Sequence, residues 1–318
     1  MKKTRIFING FGRIGRHCAK ILSADESMQI IAINDLYPKE QMLHLYAHDS
    51  IYGDFDITTL KKVQFFTQEN PENIPFEDLD IDILLQCSGV FLDQKSNEIY
   101  LQKGVKKVII SAPAIDDTPV FIPGVNEHTY QNQAILCASS CSANAIVPIA
   151  SIIDTNLDIS SLHVSMIHSY TADQNLLDVK HKTRDIRRIR SATQNILPLY
   201  SSASYAVSKV MPKLKDKITA TSIRVPVSSC TLYDMSIKTK KNITTKELHK
   251  LFQNTKLDVI DTTHKNLVSS DFIANPFSAV VDLSFTKALD KNLIHINAWQ
   301  DNEYAYAKRL ISLAKHCS

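Results

Sequence analysis

The chain has 318 residues, 44% apolar and 22% charged, the make-up of a folded protein large enough for two domains rather than a small stapled scaffold or a disordered chain. Thirty-six Lys and Arg against 33 Asp and Glu leave a formal charge of +3, which excludes a general affinity for nucleic acid or anionic lipid and confines anion binding to local sites. No apolar run reaches the ~18–20 residues of a membrane span and the N-terminal segment lacks a signal-peptide core, so the protein is expected in the cytoplasm, away from membranes.

Thr4–Asn9 reads as a buried strand, Arg13–Ser23 as a helix with Ile14, Cys18, Ile21 and Leu22 on one face, and Met28–Asn34 as a second buried strand. Between the first strand and the helix lies Gly10-Phe11-Gly12-Arg13-Ile14-Gly15, a Gly-x-Gly-x-x-Gly in the strand–turn–helix context that a dinucleotide requires. Gly10 makes the tight turn, Gly12 lets the backbone approach a pyrophosphate, and Gly15 lets helix and strand pack closely; the helix N-terminus faces the phosphate charge. The chain has only seven glycines, all at or before Gly124, so three within six residues are not incidental. Asp35 ends the second strand 20 residues after Gly15, where a carboxylate accepts ribose hydroxyls and repels a 2'-phosphate, which favours NAD.

Apolar runs at Ile81–Cys87, Val105–Ser111 and Ile135–Ser139, with a helical stretch Gln94–Lys103, continue a mostly parallel sheet. After Cys141 the texture changes. Segments Ser161–Ser169, Ile218–Val225, Thr231–Lys238, Ala279–Phe285 and Asn292–Trp299 alternate in the manner of strands with one wet face, which predicts an antiparallel sheet. Helices are expected over Ser204–Met211 and Thr245–Asn254, and Glu303–His316 closes the chain with Leu310, Leu313 and Ala314 inward. The fold class is therefore α/β: a Rossmann dinucleotide-binding domain over 1–140 and an α+β catalytic domain with a mainly antiparallel sheet over 141–301. Residues 302–318 are expected to form a helix returning to the first domain.

The six cysteines show no CxxC pairing and read as reduced thiols, with no metal expected. Cys141, in Ser139-Ser140-Cys141-Ser142-Ala143-Asn144, sits where a strand gives way to a helix, a position that lowers a thiol pKa. His168 ends a strand-like segment 27 residues later. Singly, each is compatible with an inert core residue.

Together with the glycine loop they resemble the glyceraldehyde-3-phosphate dehydrogenase family nearly end to end. The resemblance rests on Asn9 to Arg16, Asn34-Asp35, Ser111-Ala112-Pro113, Gly124-Val125-Asn126, Ser140-Cys141 with Asn144, His168-Ser169-Tyr170-Thr171, Arg224-Val225-Pro226, and Asp301-Asn302-Glu303 with Tyr306. It implies that Cys141 is the nucleophile, His168 its base, and Asn302 the residue holding the nicotinamide carboxamide, with Gly10, Gly12, Arg13, Ile14, Gly15, Asp35 and Ser111 around NAD. It implies a homotetramer acting on a small phosphorylated aldehyde and inorganic phosphate, in glycolysis or gluconeogenesis. Arg224 and Thr171 match the substrate-phosphate residues, and Ser140, Ser142, Ser201 and Ser202 fall in the phosphate-binding segments. The implied chemistry suits these residue types: a thiolate attacks the aldehyde, the hemithioacetal is oxidised to a thioester, and phosphate or water releases the product. His168 as imidazolium would stabilise the resting thiolate and later accept the hemithioacetal proton.

Several positions depart from the family pattern. Ser142-Ala143 replaces a Thr-Thr pair, Ser201-Ser202 replaces a Thr-Gly loop with Tyr205 for its following lysine, Lys180 replaces a proline beside the cofactor, and Tyr52 to Asp80 is short. Ser202 is expected to copy a glycine backbone poorly, which predicts a weakened phosphate subsite. The run Lys180 to Arg190 carries six Lys and Arg without aromatic interleaving, so no specific nucleic acid is expected; Arg187 or Arg188 matches a family arginine near the phosphates. Phosphorolysis leads as the reading. Thioester hydrolysis, as in erythrose-4-phosphate dehydrogenase, stands second, and a low-activity binding protein on the same fold third.

Overall fold

The structure, a computed structural model, describes residues 2–181 and 185–318. The chain divides into two compact units, Met1–Ser140 with Tyr306–Ser318, and Cys141–Ala305.

In the first unit the elements run β1 (Thr4–Asn9), α1 (Arg13–Ser23), β2 (Met28–Asn34), α2 (Lys39–Ala47), β3 (His48–Asp49), β4 (Gly53–Asp54), β5 (Gln64–Phe66) and α3 (Phe76–Leu79). They continue with β6 (Ile83–Gln86), α4 (Gln94–Gln102), β7 (Lys107–Ile110) and β8 (Ile135–Cys137). A six-stranded sheet forms in the order β5-β2-β1-β6-β7-β8, every pair parallel. Ile6, Phe7, Ile8, Leu84, Leu85, Val108 and Ile109 are fully buried, which is why these strands read as unbroken apolar runs. The strand order reverses between β1 and β6, so a crevice opens beyond their carboxyl ends, where open α/β sheets hold their ligands.

A buried amide network floors that crevice. Asn9 Nδ2 donates to Gln86 Oε1 (2.9 Å) and to the Tyr100 hydroxyl (3.0 Å), and Asn34 Nδ2 donates to Asn9 Oδ1 (2.8 Å) and Gln68 O (2.9 Å). Such satisfied polar contacts in a low-dielectric core fix the strand ends in one arrangement.

The second unit holds α5 (Cys141–Leu157), β9 (Ile159–Ser169), β10 (Leu197–Tyr200), α6 (Ala203–Val210), β11 (Ile218–Val225) and β12 (Thr231–Thr239). After these come α7 (Thr245–Gln253), β13 (Ile260–Thr263), β14 (Ala279–Asp290), β15 (Leu293–Gln300) and the start of α8 (Tyr304–His316). The sheet order is β10-β11-β9-β12-β15-β14-β13. Leu162, Val164, Met235, Ile237, Ile294 and Ile296 form its buried face, against which α5 packs. The sheet is mixed rather than purely antiparallel: β11 runs parallel to β9, and β13 to β14. One wet face produces the same alternation in either direction, so the sequence pattern does not distinguish them. The long connection from Ser169 to Ile218 is what permits the parallel return. Later in α8, Leu310, Leu313 and Ala314 are fully buried in the first unit.

Candidate active site

In the first unit, Gly10, Gly12, Asn34, Asp35, Tyr37 and Phe91 are among the residues lining a cleft of about 570 Å³. Gly10 has φ +95°, and a Cβ there would stand 2.4 Å from the backbone nitrogen of Ser88. A Cβ on Gly15 would stand 2.0 Å from Gly10 O, so the helix approaches the loop as closely as only glycine permits. Nothing lies within 4 Å of where a Gly12 side chain would project. The first turn of α1 has no acidic residue and no side-chain cap, so no side chain there opposes an anion at the helix N-terminus.

Asp35 does more than the ribose role assigned to it. Its Oδ2 accepts the Phe11 N–H at 2.5 Å and its Oδ1 the Leu36 N–H at 2.7 Å, so it also braces the glycine loop. Each oxygen keeps a lone pair for a ribose hydroxyl. Arg13 donates from Nη1 to Asp49 Oδ2 at 2.7 Å, which turns its side chain toward Asp49. Ile14 is half-buried beside it in the first turn. Ser111 donates its hydroxyl to Gln86 O at 2.8 Å and is tied to the strand ends. Room, open backbone, helix N-terminus and carboxylate together fit an adenine dinucleotide.

The turn before Cys141 is strained. Ser139 adopts φ +61° although it is not glycine, and Tyr306 donates its hydroxyl to the Ser139 carbonyl at 2.8 Å, holding the turn. Ser140 completes it, half-buried.

In the second unit, Cys141 opens α5 and His168 lies near the end of β9. Their Sγ and Nε2 are 4.0 Å apart, and Ser142 Oγ is also 4.0 Å from Sγ. Gln300 donates to the Cys141 carbonyl at 3.1 Å and accepts from the buried Tyr233 hydroxyl at 2.7 Å, fixing the nucleophile from behind. Burial pushes the Cys141 thiol up from its ordinary value, while Arg224, the Ser142 hydroxyl and the helix N–H groups pull it down; burial prevails. The lowering expected of the helix position alone is thus overridden.

The resting imidazolium implied for His168 is opposed in this structure: burial, then the charge of Arg224, push this histidine down to about 3. Arg224 Nη1 stands 2.7 Å from His168 Nδ1 and 3.0 Å from Ser169 O, while its Nε is buried with no partner among the described residues. Asn302 Oδ1 accepts the Ser169 hydroxyl at 3.1 Å.

Thr171 donates its hydroxyl to Asp173, and Arg188 pairs with the same carboxylate. Asp173 joins this cluster without having been singled out in sequence; its signal is the Thr-Ala-Asp spacing, a hydroxyl and a carboxylate two residues apart. Between the two arginine candidates, Arg188 reaches the cluster, whereas Arg187 pairs with Asp185 and lies over Tyr200. Lys182, Thr183 and Arg184 of the basic run lie outside the described residues.

Ser202 has φ −79°, an ordinary backbone, in keeping with a serine that does not copy a glycine conformation. Ala143 is fully buried, so a hydroxyl there would enter the core rather than the site. Ser201 Oγ accepts the Ala203 N–H at 3.0 Å at the start of α6, and Ser202 is exposed beside it.

Among the described residues no helix is long and apolar enough to cross a membrane. The family model described as glyceraldehyde 3-phosphate dehydrogenase, NAD binding domain, matches residues 4–94, and that of the C-terminal domain matches residues 140–302. A glyceraldehyde-3-phosphate dehydrogenase of Chlamydia pneumoniae is 34% identical over 98% of this chain and 98% of its own length. Glyceraldehyde-3-phosphate dehydrogenase 2 of Bacillus subtilis is 33% identical over 99% and 96%. A chloroplastic glyceraldehyde-3-phosphate dehydrogenase of Arabidopsis thaliana is 34% identical over 98% and 83%. With two family domains matched in order and a third of its residues shared end to end, the chain belongs to the glyceraldehyde-3-phosphate dehydrogenase family and is an NAD-dependent oxidoreductase acting on aldehyde donors.

Proposed function

We propose that the chain oxidises glyceraldehyde 3-phosphate and releases the product to inorganic phosphate as 1,3-bisphosphoglycerate, through a thioester on Cys141. The observation that carries this reading is the cluster of Cys141, His168 and Arg224, in which a thiol, an imidazole and a guanidinium meet within hydrogen-bonding range. Bound NAD would supply the hydride acceptor; Gly10, Gly12, Asp35 and the α1 N-terminus are the residues that would hold its adenosine and pyrophosphate, and Asn302 matches the family residue that orients the carboxamide.

Cys141 attacks the aldehyde carbon as thiolate, and His168 takes the hemithioacetal hydroxyl proton as the thioester forms. The Cys141 N–H, at the head of α5, donates to the developing oxyanion. Arg224 and Thr171 hold the substrate phosphate, and Ser140, Ser142, Ser201, Ser202 and Arg188 serve the attacking phosphate. A hydroxyl kept at Ser142, 4.0 Å from the thiol, supports phosphorolysis as the leading reading, with hydrolysis second.

We place the enzyme in the cytoplasm as a homotetramer. Leu176, Leu177, Ile186 and Ile196, each at least 64% exposed within one stretch of the second unit, support burial against another copy. Steady-state rates with glyceraldehyde 3-phosphate and erythrose 4-phosphate, with and without inorganic phosphate, test the reading. Phosphate-dependent turnover with an acyl phosphate product supports it. Phosphate-independent turnover yielding a free acid transfers the assignment to the hydrolytic relative.

A further inference from the structure

Strand register brings two polar side chains together behind the nucleophile. On β12, Thr231 stands opposite His168 of β9 on one side and Gln300 of β15 on the other. Tyr233, two residues along, shares that face and lies diagonal to Gln300, within reach of a long side chain. Thr231, Tyr233 and Gln300 are all buried, on the face against which α5 packs.

The hydrogen bonds that join them run in one sense. The Cys141 carbonyl only accepts, so Gln300 presents Nε2 to it at 3.1 Å; Oε1 then faces the Tyr233 hydroxyl, which donates at 2.7 Å. The carbonyl that Gln300 grips belongs to the peptide between Cys141 and Ser142, which is planar and trans. Its C=O and N–H point in opposite directions. Fixing the oxygen toward β15 therefore turns the Ser142 N–H to the other side, where it donates to Sγ. A carbonyl polarised by a hydrogen bond also makes the N–H of its own peptide a stronger donor.

We propose that Tyr233 and Gln300 are positioning residues for the nucleophile: through the Cys141 carbonyl they aim the Ser142 N–H at Sγ, where it steadies the thiolate. This rests on the reading of Cys141 as the nucleophile and adds to it two residues that touch neither substrate nor cofactor. The charged and titratable groups that face the thiol are His168 on β9, Arg224 on β11 and Tyr233 on β12; Asp173 and Glu303 act on His168. Burial holds the Tyr233 phenol neutral, so it stays a donor, and Gln300 carries no charge. Tyr233→Phe and Gln300→Met therefore leave every charge around Sγ in place, and any change in thiol acidity they cause comes through hydrogen bonding.

The test is the pH profile of Cys141 alkylation by uncharged iodoacetamide in the full chain, with urea unfolding measured in parallel. Either single variant should raise the midpoint of the profile by about 0.5–1 unit, which slows alkylation below the midpoint by about three- to tenfold. The plateau at high pH should stay at the parent's height, because the sulfur remains accessible once it is ionised. A merely structural role would lower the plateau and leave the midpoint where it was. The double variant Tyr233→Phe/Gln300→Met keeps no buried amide oxygen without a partner, so it should regain stability lost in Tyr233→Phe while keeping the raised midpoint. Unmoved midpoints overturn the proposal, and so does a double variant whose midpoint returns together with its stability. Raised midpoints combined with full aldehyde turnover after Cys141 is labelled would remove the functional reading and leave the positioning of the thiol standing.

Discussion

Gly12 and Gly15 sit three residues apart, yet replacing each with alanine should damage different properties. In Gly15→Ala the new Cβ would lie 2.0 Å from Gly10 O against the 3.4 Å at which ordinary contact begins, so helix or loop must shift by about 1.4 Å. Alanine also improves helix propensity by roughly 1 kcal/mol, and overpacking costs about 1–3 kcal/mol. Because the obstructing atom is backbone carbonyl and cannot rotate away, the cost falls at the upper end and the variant should lose about 1–2 kcal/mol net. The shifted loop should also forfeit at least one charge-assisted hydrogen bond to the pyrophosphate, roughly tenfold to a hundredfold in NAD affinity. Gly12→Ala meets nothing within 4 Å, so its stability should fall by less than about 1 kcal/mol, the cost of alanine at a helix N-cap. Its methyl enters the space that a pyrophosphate needs, and NAD affinity should fall at least as far. Urea unfolding of cofactor-free protein and calorimetric NAD titration separate the two effects. A Gly15→Ala variant as stable as the parent would refute the contact argument. Unchanged NAD binding by Gly12→Ala would refute the placement of the pyrophosphate.

Asp35→Asn keeps an acceptor for the Phe11 N–H but removes the charge, so it should raise the efficiency with NADP relative to NAD by roughly tenfold or more; a ratio that does not move would separate Asp35 from cofactor choice. His168 is held near 3 in the folded chain against about 6.5 when unfolded, so its contribution to stability is complete above pH 6.5 and is lost as pH falls toward 3. The limiting slope is about 1.4 kcal/mol per pH unit, and His168→Asn should flatten it in urea titrations from pH 7 to 4 while lowering turnover by about 10²- to 10⁴-fold. An unaltered slope would mean that His168 is not buried neutral.

The parts of this protein that depend on local sterics and periodicity were readable along the chain. Gly10-x-Gly12-x-x-Gly15 between a strand and a helix defines the dinucleotide turn because only glycine meets its backbone and contact demands, and β1, α1 and β2 fall where the apolar pattern puts them. Cys141 at the head of α5 and His168 near the end of β9 were likewise legible, once family resemblance joined two residues that singly mean little. Short edge strands such as β5, β10 and β13 escaped because three or four residues carry too little periodicity, α2 because only Met42 and Tyr46 of its nine residues are buried, and the mixed direction of the second sheet because alternation is blind to direction.

Protonation lay beyond the sequence for a different reason. Cysteine at a helix N-terminus beside histidine suggests a lowered thiol pKa and a ready imidazolium, and burial reverses both. Local chain chemistry names the groups that are available and the turns they occupy. Their charge is a matter of packing, because it depends on how much water is excluded from Cys141 and His168 and on Arg224, from a strand 56 residues away, arriving within 2.7 Å of a ring nitrogen.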